Sequence, residues 1–287
     1  MRSRTLSTRA ETRMAEREAE PEFLPAWGLS KGSERDVEPA ALPDVLSRAW
    51  AFGDGRGAGV RVCILDSGIE AGHSLVGHVH RSVAAERFDN GDLGVVDDTS
   101  GDVAGHGTAC AGIIRALAPE VELVSVRVLG KDINGTFDAL RAGFDWAIEE
   151  RFELLNLSLS VRRREFVAEL CELADRAAHQ GTVAVCSAHN SPIESYPWRF
   201  ASVVSVACHD EDDPELIYYN PTPPVEFFAR GVGVPVAWIG GGTIRATGNS
   251  FATPHVTGLL ARIRSAHPSL TPFELKTVLY RIAANVR

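Results

Sequence analysis

Hydrophobic residues occur along the chain in two alternating patterns, one typical of strands and one typical of helices. Short, almost continuous apolar runs lie at 60–66, 121–129, 154–160, 182–188 and 202–208. Helices are predicted beside and between these runs, at 41–53, 136–151, 165–180 and 271–286. Apolar strands that alternate with amphipathic helices are typical of a parallel sheet covered on both faces. The pattern therefore predicts an α/β fold with three layers, αβα, and a mostly parallel central sheet.

A further helix is predicted near the C-terminus, and its first turn contains Ser250. Apolar residues repeat there at helical spacing, namely Ala252, Val256, Leu259, Leu260 and Ile263. Serine is a favoured N-cap, so the default interpretation is that Ser250 begins this helix. The alternative is a reactive serine at the positive end of the helix. Both interpretations need a serine here, so only a base and an acid elsewhere in the chain decide between them.

Two other residues stand where a parallel sheet places functional side chains, just past the carboxyl ends of its strands. Asp66 ends the apolar run 60–66, and His106 lies between two glycines at the start of an apolar helical segment. Asp66 could instead cap the following turn, and His106 could be a packed core histidine. A histidine that only packs, however, seldom needs glycine on both sides.

Asp66, His106 and Ser250 together offer the three groups of nucleophilic catalysis. A serine hydroxyl needs a base to take its proton, and a carboxylate on the other imidazole nitrogen fixes the tautomer and stabilises the imidazolium. The chain order Asp, His, Ser excludes the chymotrypsin order, and no G-x-S-x-G motif indicates an α/β-hydrolase.

Three segments resemble the catalytic blocks of the subtilisin-like serine proteases, the subtilases of peptidase family S8. They are ILDSGIE at 64–70, GHGTACAGI at 105–113 and GNSFATPHVTG at 248–258. The similarity extends over about 45–280, including LLNLSLS, SAHN and VEFFARGV between the blocks. The resemblance implies a serine endopeptidase with Asp66 as the triad acid, His106 as the general base and Ser250 as the nucleophile of an acyl-enzyme.

The resemblance also implies how substrate is held. Asn190 matches the family's oxyanion asparagine, which donates its side-chain amide beside the backbone N–H of Ser250. The segment Ser158, Leu159 and Ser160 is expected to pair with an extended peptide as an added strand. Ser195 is expected near the floor of the S1 pocket, which receives the substrate residue before the scissile bond; a plain turn residue is the alternative.

Three residues depart from the family's pattern. Ala109 stands where the histidine block usually has a second histidine. Asn249 replaces the usual threonine before the nucleophile, and His189 replaces a glycine or similarly small residue before the oxyanion asparagine. We expect both to contact substrate, with His189 narrowing the S1 pocket or giving it a polar preference. Distortion of the oxyanion hole is the alternative for His189.

A fourth departure concerns metal. In calcium-bound secreted subtilases, a loop inserted in the helix after the histidine block supplies oxygen ligands, together with an aspartate after the catalytic one. Here the sequence passes through without that insertion, and Leu75 occupies the aspartate position. Calcium needs six or more oxygen ligands. We therefore expect no calcium at this place, and no other metal or cofactor.

Composition limits the partners. The net charge of −9 argues against nucleic-acid binding, and no apolar run approaches the roughly 20 residues of a membrane span. The N-terminus lacks the apolar core of a secretory signal, and the five cysteines lack metal-ligand spacing. The cysteines are interpreted as free thiols in a reducing compartment. These features predict a cytoplasmic protein. The resemblance to subtilases implies that its partners are extended peptide or protein substrates.

We predict a catalytic domain at 45–287, preceded by a partly disordered N-terminal extension at 1–44. Pro21–Trp27 is apolar, extended and bounded by prolines, which suggests the hypothesis that it lies across the cleft of its own or a neighbouring copy as an inhibitor. The alternative is a strand or loop packed on the domain. Deleting residues 1–28 tests the hypothesis, since self-inhibition predicts a rise in activity.

Two other functions would use the same residues. A pseudoprotease would bind peptides without cutting them, and a transpeptidase or macrocyclase would form the same acyl-enzyme while excluding water. Narrow processing of a dedicated peptide or protein precursor is a further specialisation of the protease that the sequence leaves open.

Overall fold

The computed structural model describes residues 42–89 and 91–287, together with 26, 28, 29, 32 and 37. Contacts within the chain divide it into two units, Met1–Leu42 and Pro43–Arg287. Most of the first unit lies outside the described residues, and so does nearly all of the proposed inhibitory segment Pro21–Trp27. Self-inhibition and the disorder of the extension therefore stay predictions. The fold described below is that of the second unit.

The second unit is built around a nine-stranded sheet. In chain order its strands are β1 (Arg61–Asp66), β2 (Arg81–Arg87), β3 (Leu93–Asp97), β4 (Glu122–Arg127), β5 (Leu154–Leu157), β6 (Val183–Ser187), β7 (Val204–His209), β8 (Ile217–Tyr219) and β9 (Phe227–Arg230). Their spatial order is β3-β2-β4-β1-β5-β6-β7-β9-β8. The seven neighbouring strands β2, β4, β1, β5, β6, β7 and β9 run parallel to one another. The edge strands of this sheet, β3 and β8, each pair antiparallel with their neighbour. The predicted mostly parallel sheet is confirmed.

The described residues form six α-helices. They are α1 (Arg48–Phe52), α2 (His106–Leu117), α3 (Phe137–Glu149), α4 (Val167–His179), α5 (Asn249–Ala266) and α6 (Pro272–Arg281). Of these, α2, α3, α4 and α5 pack on the sheet. Cys63 and Leu65 of β1 share one buried cluster with Phe144 of α3 and Leu170 of α4. Helices α2 and α5 pack on each other and on the sheet. The prediction of a three-layer α/β fold is confirmed.

Helix boundaries follow local capping. Helix α6 begins with a capping box, in which Thr271 accepts from the N–H of Glu274 while Glu274 bonds back to Thr271, and Pro272 takes the first helical position. The helix predicted at 41–53 is shorter than expected, because Ser47 caps α1 by accepting from the N–H of Trp50 at 3.1 Å. No helix in the described part of the chain is long and apolar enough to cross a membrane.

The helix that contains Ser250 begins two residues earlier than the capping interpretation requires. Helix α5 starts at Asn249, and Gly248 occupies the N-cap position without any side-chain cap hydrogen bond. Ser250 therefore lies inside the first turn and does not cap it. The local sequence could not show this, because the partner that fixes the first turn is Asn190, which lies 59 residues away in the chain.

A two-stranded hairpin outside the main sheet was not predicted. It consists of β10 (Val234–Trp238) and β11 (Gly242–Ala246), paired antiparallel. Val234 and Val236 pack with Ala109 of α2 and Phe251 of α5 in a small cluster. The hairpin therefore holds together the two helices that begin at His106 and Asn249.

Candidate active site

Asp66 and His106 form a buried pair at the carboxyl end of β1. Nδ1 of His106 lies 2.9 Å from Oδ1 and 2.9 Å from Oδ2 of Asp66. The Asp66–His106 hydrogen bonds can form only if the first residues of α2 pack directly against the turn after β1. A Cβ on Gly107 would come within 2.0 Å of the carbonyl oxygen of Gly68, so only glycine permits this approach. Because the carboxylate holds Nδ1, the other ring nitrogen is the one left to accept a proton.

A second carboxylate, Asp102, fixes the start of α2 and was missed by the sequence reasoning. It accepts hydrogen bonds from the N–H groups of Ala104, Gly105 and Thr108 and from the hydroxyls of Ser67 and Thr108, at distances of 2.6–2.9 Å. The usual capping signal could not have found it, because the N-cap position is occupied by Gly105 and Asp102 lies three residues before that position. Asp102 places a second negative charge near His106.

The surroundings of His106 raise its pKa above the ordinary imidazole value. Burial disfavours the charged ring and lowers the pKa, but the charge of Asp66, the hydrogen bond to Asp66 and the charge of Asp102 together outweigh burial. The imidazolium that forms during proton transfer from a serine is stabilised by the same charges.

We expect kcat/KM for peptide cleavage to fall on the acid side with an apparent pKa above the ordinary imidazole value. His106 must be unprotonated to act as a base, and a raised pKa keeps it protonated to higher pH. In Asp66→Asn the apparent pKa should move to lower pH, because the stabilising charge is lost. Initial rates between about pH 5 and pH 10 measure both profiles. An equal or higher apparent pKa in the variant would contradict the assignment.

Ser250 is tied to the predicted substrate segment through its own carbonyl. Pro254 has no N–H, so it cannot make the helical hydrogen bond to the carbonyl of Ser250. That carbonyl instead accepts from Oγ of Ser158 at 2.9 Å. Behind it, Asn156 donates to Ser158 at 3.0 Å and Thr257 donates to Asn156 at 2.9 Å. A buried chain of hydrogen bonds therefore links the helix that contains Ser250 to the segment after β5.

Asn190 lies beside Ser250, over Gly248. A Cβ built on Gly248 would stand 3.3 Å from Nδ2 of Asn190 and 3.4 Å from Oγ of Ser250, so glycine makes room for both. The N–H of Asn249 donates to Oδ1 of Asn190 at 2.8 Å. The amide oxygen is thereby occupied, and the amide nitrogen is left as a donor near the hydroxyl of Ser250.

These groups open onto one cleft of about 1090 Å³. Of the residues predicted from sequence, its lining contains His106, Ser158, Leu159, Ser160, His189, Asn190 and Ser250. Asp66 lies buried beneath it, and neither Ser195 nor Asn249 is among the lining residues. Trp238 and Phe251, which the sequence reasoning did not select, also line it. Phe251 lies 5.2 Å from the His106 ring, centroid to centroid.

Comparison with protein families identifies the family to which this chain belongs. The family model of the subtilase family matches residues 57–286. The chain belongs to the subtilase family. The resemblance stated from the three sequence blocks is confirmed, and the chain is a subtilisin-like serine endopeptidase by family.

Individual relatives agree with the family. Subtilisin DY of Bacillus licheniformis is 30% identical over 246 residues, which cover 80% of this chain and 86% of the relative. The thermostable alkaline protease of Halalkalibacterium halodurans is 30% identical over 231 residues, 77% of this chain but only 61% of that protein. The crystal structure of a cold adapted subtilisin-like serine proteinase matches with a TM-score of 0.64 at 27% identity, covering 82% of this chain and 87% of the other.

Ser195 of this subtilase is buried next to a tryptophan. Its Oγ accepts from Nε1 of Trp198 at 2.8 Å, and its side chain has no exposed surface. The hydrogen bond holds the turn that follows the oxyanion segment. His189, by contrast, lines the cleft, with Nδ1 accepting from the N–H of Ser191 at 2.9 Å. Of the two residues, His189 is the one whose ring can meet a substrate, and the placement of Ser195 at the pocket floor stays a prediction.

The residues of this subtilase do not fit the family's calcium. Leu75 offers no oxygen ligand from its side chain, and α2 continues unbroken from His106 to Leu117. Within that helix, Arg115 donates to four main-chain carbonyls. A guanidinium already bonded to carbonyl oxygens opposes a second cation at the same place. The absence of calcium stays a prediction, which chelation tests below.

The described residues contain one cluster of three side chains able to bind a metal ion, Asp66, His106 and Cys110, with ligand atoms within 4.8 Å of one another. Burial first, and then the charge of Asp66, raise the pKa of Cys110 well above its ordinary value. The thiol therefore stays protonated at neutral pH, and a protonated thiol is neither a good metal ligand nor a nucleophile. The cluster fits an acid–base pair better than a metal centre.

Proposed function

We propose that this subtilase cleaves peptide bonds inside extended chains through an acyl-enzyme on Ser250. The observation that carries the proposal is the buried Asp66–His106 pair, with Nδ1 held at 2.9 Å, at the base of the cleft that contains Ser250 and Asn190. An acid, a base, a nucleophile and a donor for an oxyanion are thus brought to one place by four separate segments of the chain.

In the first step His106 takes the proton of the Ser250 hydroxyl as Oγ attacks the carbonyl carbon of the scissile bond. The carbonyl oxygen becomes negative and accepts from Nδ2 of Asn190 and from the N–H of Ser250, which has no helical partner in the first turn. His106 then gives its proton to the leaving amine, and the amine departs. Water, activated by His106 in turn, releases the acid product and restores the serine. Asp66 holds the ring and stabilises the imidazolium throughout.

The cleft supports an extended peptide as substrate. The main chain of Leu159 and Ser160 makes no hydrogen bond to another described residue, and both residues line the cleft. Immediately after them, Val161 pairs with Tyr196 through two main-chain hydrogen bonds of 2.7 and 2.9 Å. A strand edge with unused N–H and C=O groups is the feature to which extended peptides add.

Labelling with a fluorophosphonate probe tests the proposal. The folded protein should form one adduct, and peptide mass analysis should place it on the fragment that contains Ser250. Ser250→Ala should remove the labelling, while Ser265→Ala, the same change on the same helix, should retain it. No labelling of the folded wild type would reject the proposal and favour a peptide-binding pseudoprotease.

Product masses from a peptide library separate hydrolysis from ligation. Hydrolysis adds the mass of one water to the summed products, whereas a transpeptidase or macrocyclase joins fragments without that gain. Limited processing of a dedicated precursor, self-inhibition by the N-terminal segment and a cytoplasmic location stay predictions.

A further inference from the structure

Both the oxygen and the nitrogen of the Asn249 side-chain amide form hydrogen bonds to other residues of the protein. Oδ1 accepts from the N–H of Cys208 at 2.9 Å, at the end of β7. Nδ2 donates to the carbonyls of Ala188 at 3.3 Å and His189 at 3.1 Å, in the segment that follows β6. The side chain therefore bridges the carboxyl ends of two neighbouring parallel strands.

The orientation of this amide is fixed by its partners. A backbone N–H can only donate and a backbone carbonyl can only accept, so the oxygen must face Cys208 and the nitrogen must face Ala188 and His189. Both N–H groups of the amide have a carbonyl partner. Little of its hydrogen-bonding capacity is left for a substrate, and Asn249 is not among the lining residues of the cleft.

The segment that Asn249 holds leads directly to Asn190. The side chain of Asn249 bonds to the two residues before Asn190, while its main-chain N–H donates to Oδ1 of Asn190 at 2.8 Å. One residue thus fixes both the backbone that carries Asn190 and the direction of its amide. Asn190 is itself exposed, so these bonds replace the packing that would hold a buried side chain.

We propose that Asn249 is the positioning residue of the oxyanion hole in this subtilase, acting through Asn190 and making no contact with substrate. The inference rests on the proposed function, because it concerns the same oxyanion. A donor stabilises a transition state most when it is already aimed at the developing charge and needs no reorganisation. The three side-chain bonds and one main-chain bond of Asn249 supply this preorganisation.

The decisive variant is Asn249→Asp, which keeps the shape and the acceptor for Cys208. It replaces the donor nitrogen with an oxygen that faces the carbonyls of Ala188 and His189. We expect kcat to fall by roughly 10- to 100-fold, part of the loss of about 100- to 1,000-fold expected for an absent oxyanion donor. KM should stay within about threefold, because the interaction with the oxyanion is made only in the transition state.

Two readouts distinguish positioning from a general structural role. Asn190→Ala combined with Asn249→Asp should be no slower than Asn190→Ala alone, within about threefold, because Asn249 acts through the amide already removed. The affinity of a peptide boronate, which mimics the tetrahedral adduct, should fall in Asn249→Asp by the same factor as kcat/KM. The ratio of variant to wild-type kcat should also rise at acid pH, where the introduced carboxyl is protonated and donates again.

Losses that multiply in the double variant, or a rise in KM with kcat unchanged, would overturn the assignment. If Asn249→Asp does not fold, Asn249→Ala replaces it. Alanine removes all three side-chain bonds, and the same non-additivity with Asn190→Ala is expected. Fluorophosphonate labelling of the wild type separates the two proposals. An unlabelled wild type rejects the proposed function, whereas a labelled wild type with multiplying losses rejects only the role of Asn249.

Discussion

Ser250→Ala and His106→Ala should each lower kcat by roughly a million-fold, and the double variant should be no slower than either single variant. The hydroxyl attacks only when the imidazole takes its proton, so each group is useless without the other. Asp66→Asn should cost about 10,000-fold, because Nδ1 of His106 would meet an amide in place of the carboxylate at 2.9 Å. Residual activity of 1,000- to 10,000-fold over water is expected from Asn190 and substrate binding alone.

Turnover of a peptide substrate by each purified variant measures these losses, with the melting temperature confirming that each variant is folded. Ser265→Ala is the matched control, since Ser265 lies on the same helix and donates only to the carbonyl of Ala58. It should keep wild-type turnover. Losses that multiply in the Ser250 and His106 double variant would mean that the two residues act independently, which a triad forbids.

The proposed triad could be assembled from the sequence because each member is marked by its position in a local pattern. Asp66 is the polar residue that ends an apolar run, His106 is flanked by glycines, and Ser250 precedes apolar residues at helical spacing. Glycines in the sequence indicate positions where the backbone approaches another segment closely. A side chain on Gly107 would collide with the carbonyl of Gly68, so this position requires glycine, and the sequence shows one there. The alternating apolar runs predicted the parallel sheet for the same reason, since strands buried on both faces must be apolar throughout.

Residues whose role depends on distant partners could not be placed in this way. Asn249 was expected to contact substrate, yet its side chain bonds to Cys208, which is 41 residues away, and to Ala188 and His189, which are about 60 residues away. Polar side chains of this kind have many partners available within one fold, and only the packed structure selects among them. The hairpin of β10 and β11 was missed because β11 is exposed along nearly its whole length, so no apolar run marks it.

Arg115 joins two segments of this subtilase. From the sequence, this region was remarked on only because it lacks the family's calcium loop. Its guanidinium donates to the carbonyls of Val76 and His78, each at 2.9 Å, in the loop after β1. It also donates to Pro119 at 2.9 Å and Val121 at 2.7 Å, after the end of α2. Four carbonyls from two loops thus converge on a single cation.

We expect Arg115→Met to lower the free energy of unfolding by about 2–4 kcal/mol. Hydrogen bonds to charged groups contribute about 1.5–3 kcal/mol each, but two of the four acceptors belong to exposed residues that water can solvate after the change. Arg115→Lys should lose roughly half as much, because one ammonium cannot reach four carbonyls spread over a planar fork. Urea unfolding of the three proteins measures the differences.

Arg56→Met is the matched control, because Arg56 makes one exposed ion pair with Glu120 at 2.6 Å. Such a pair contributes about 0–1 kcal/mol, so its loss should change stability little. A chelator should leave the melting temperature of the wild type unchanged, since Leu75 stands where the family's aspartate would supply a ligand and α2 continues without the inserted calcium loop. If the chelator lowered that temperature while Arg115→Met did not, the loops would be held by a metal ion and the role given to Arg115 would be wrong. If Arg115→Met lowered the melting temperature and the chelator did not, the guanidinium of Arg115, and not a metal ion, would join the two loops.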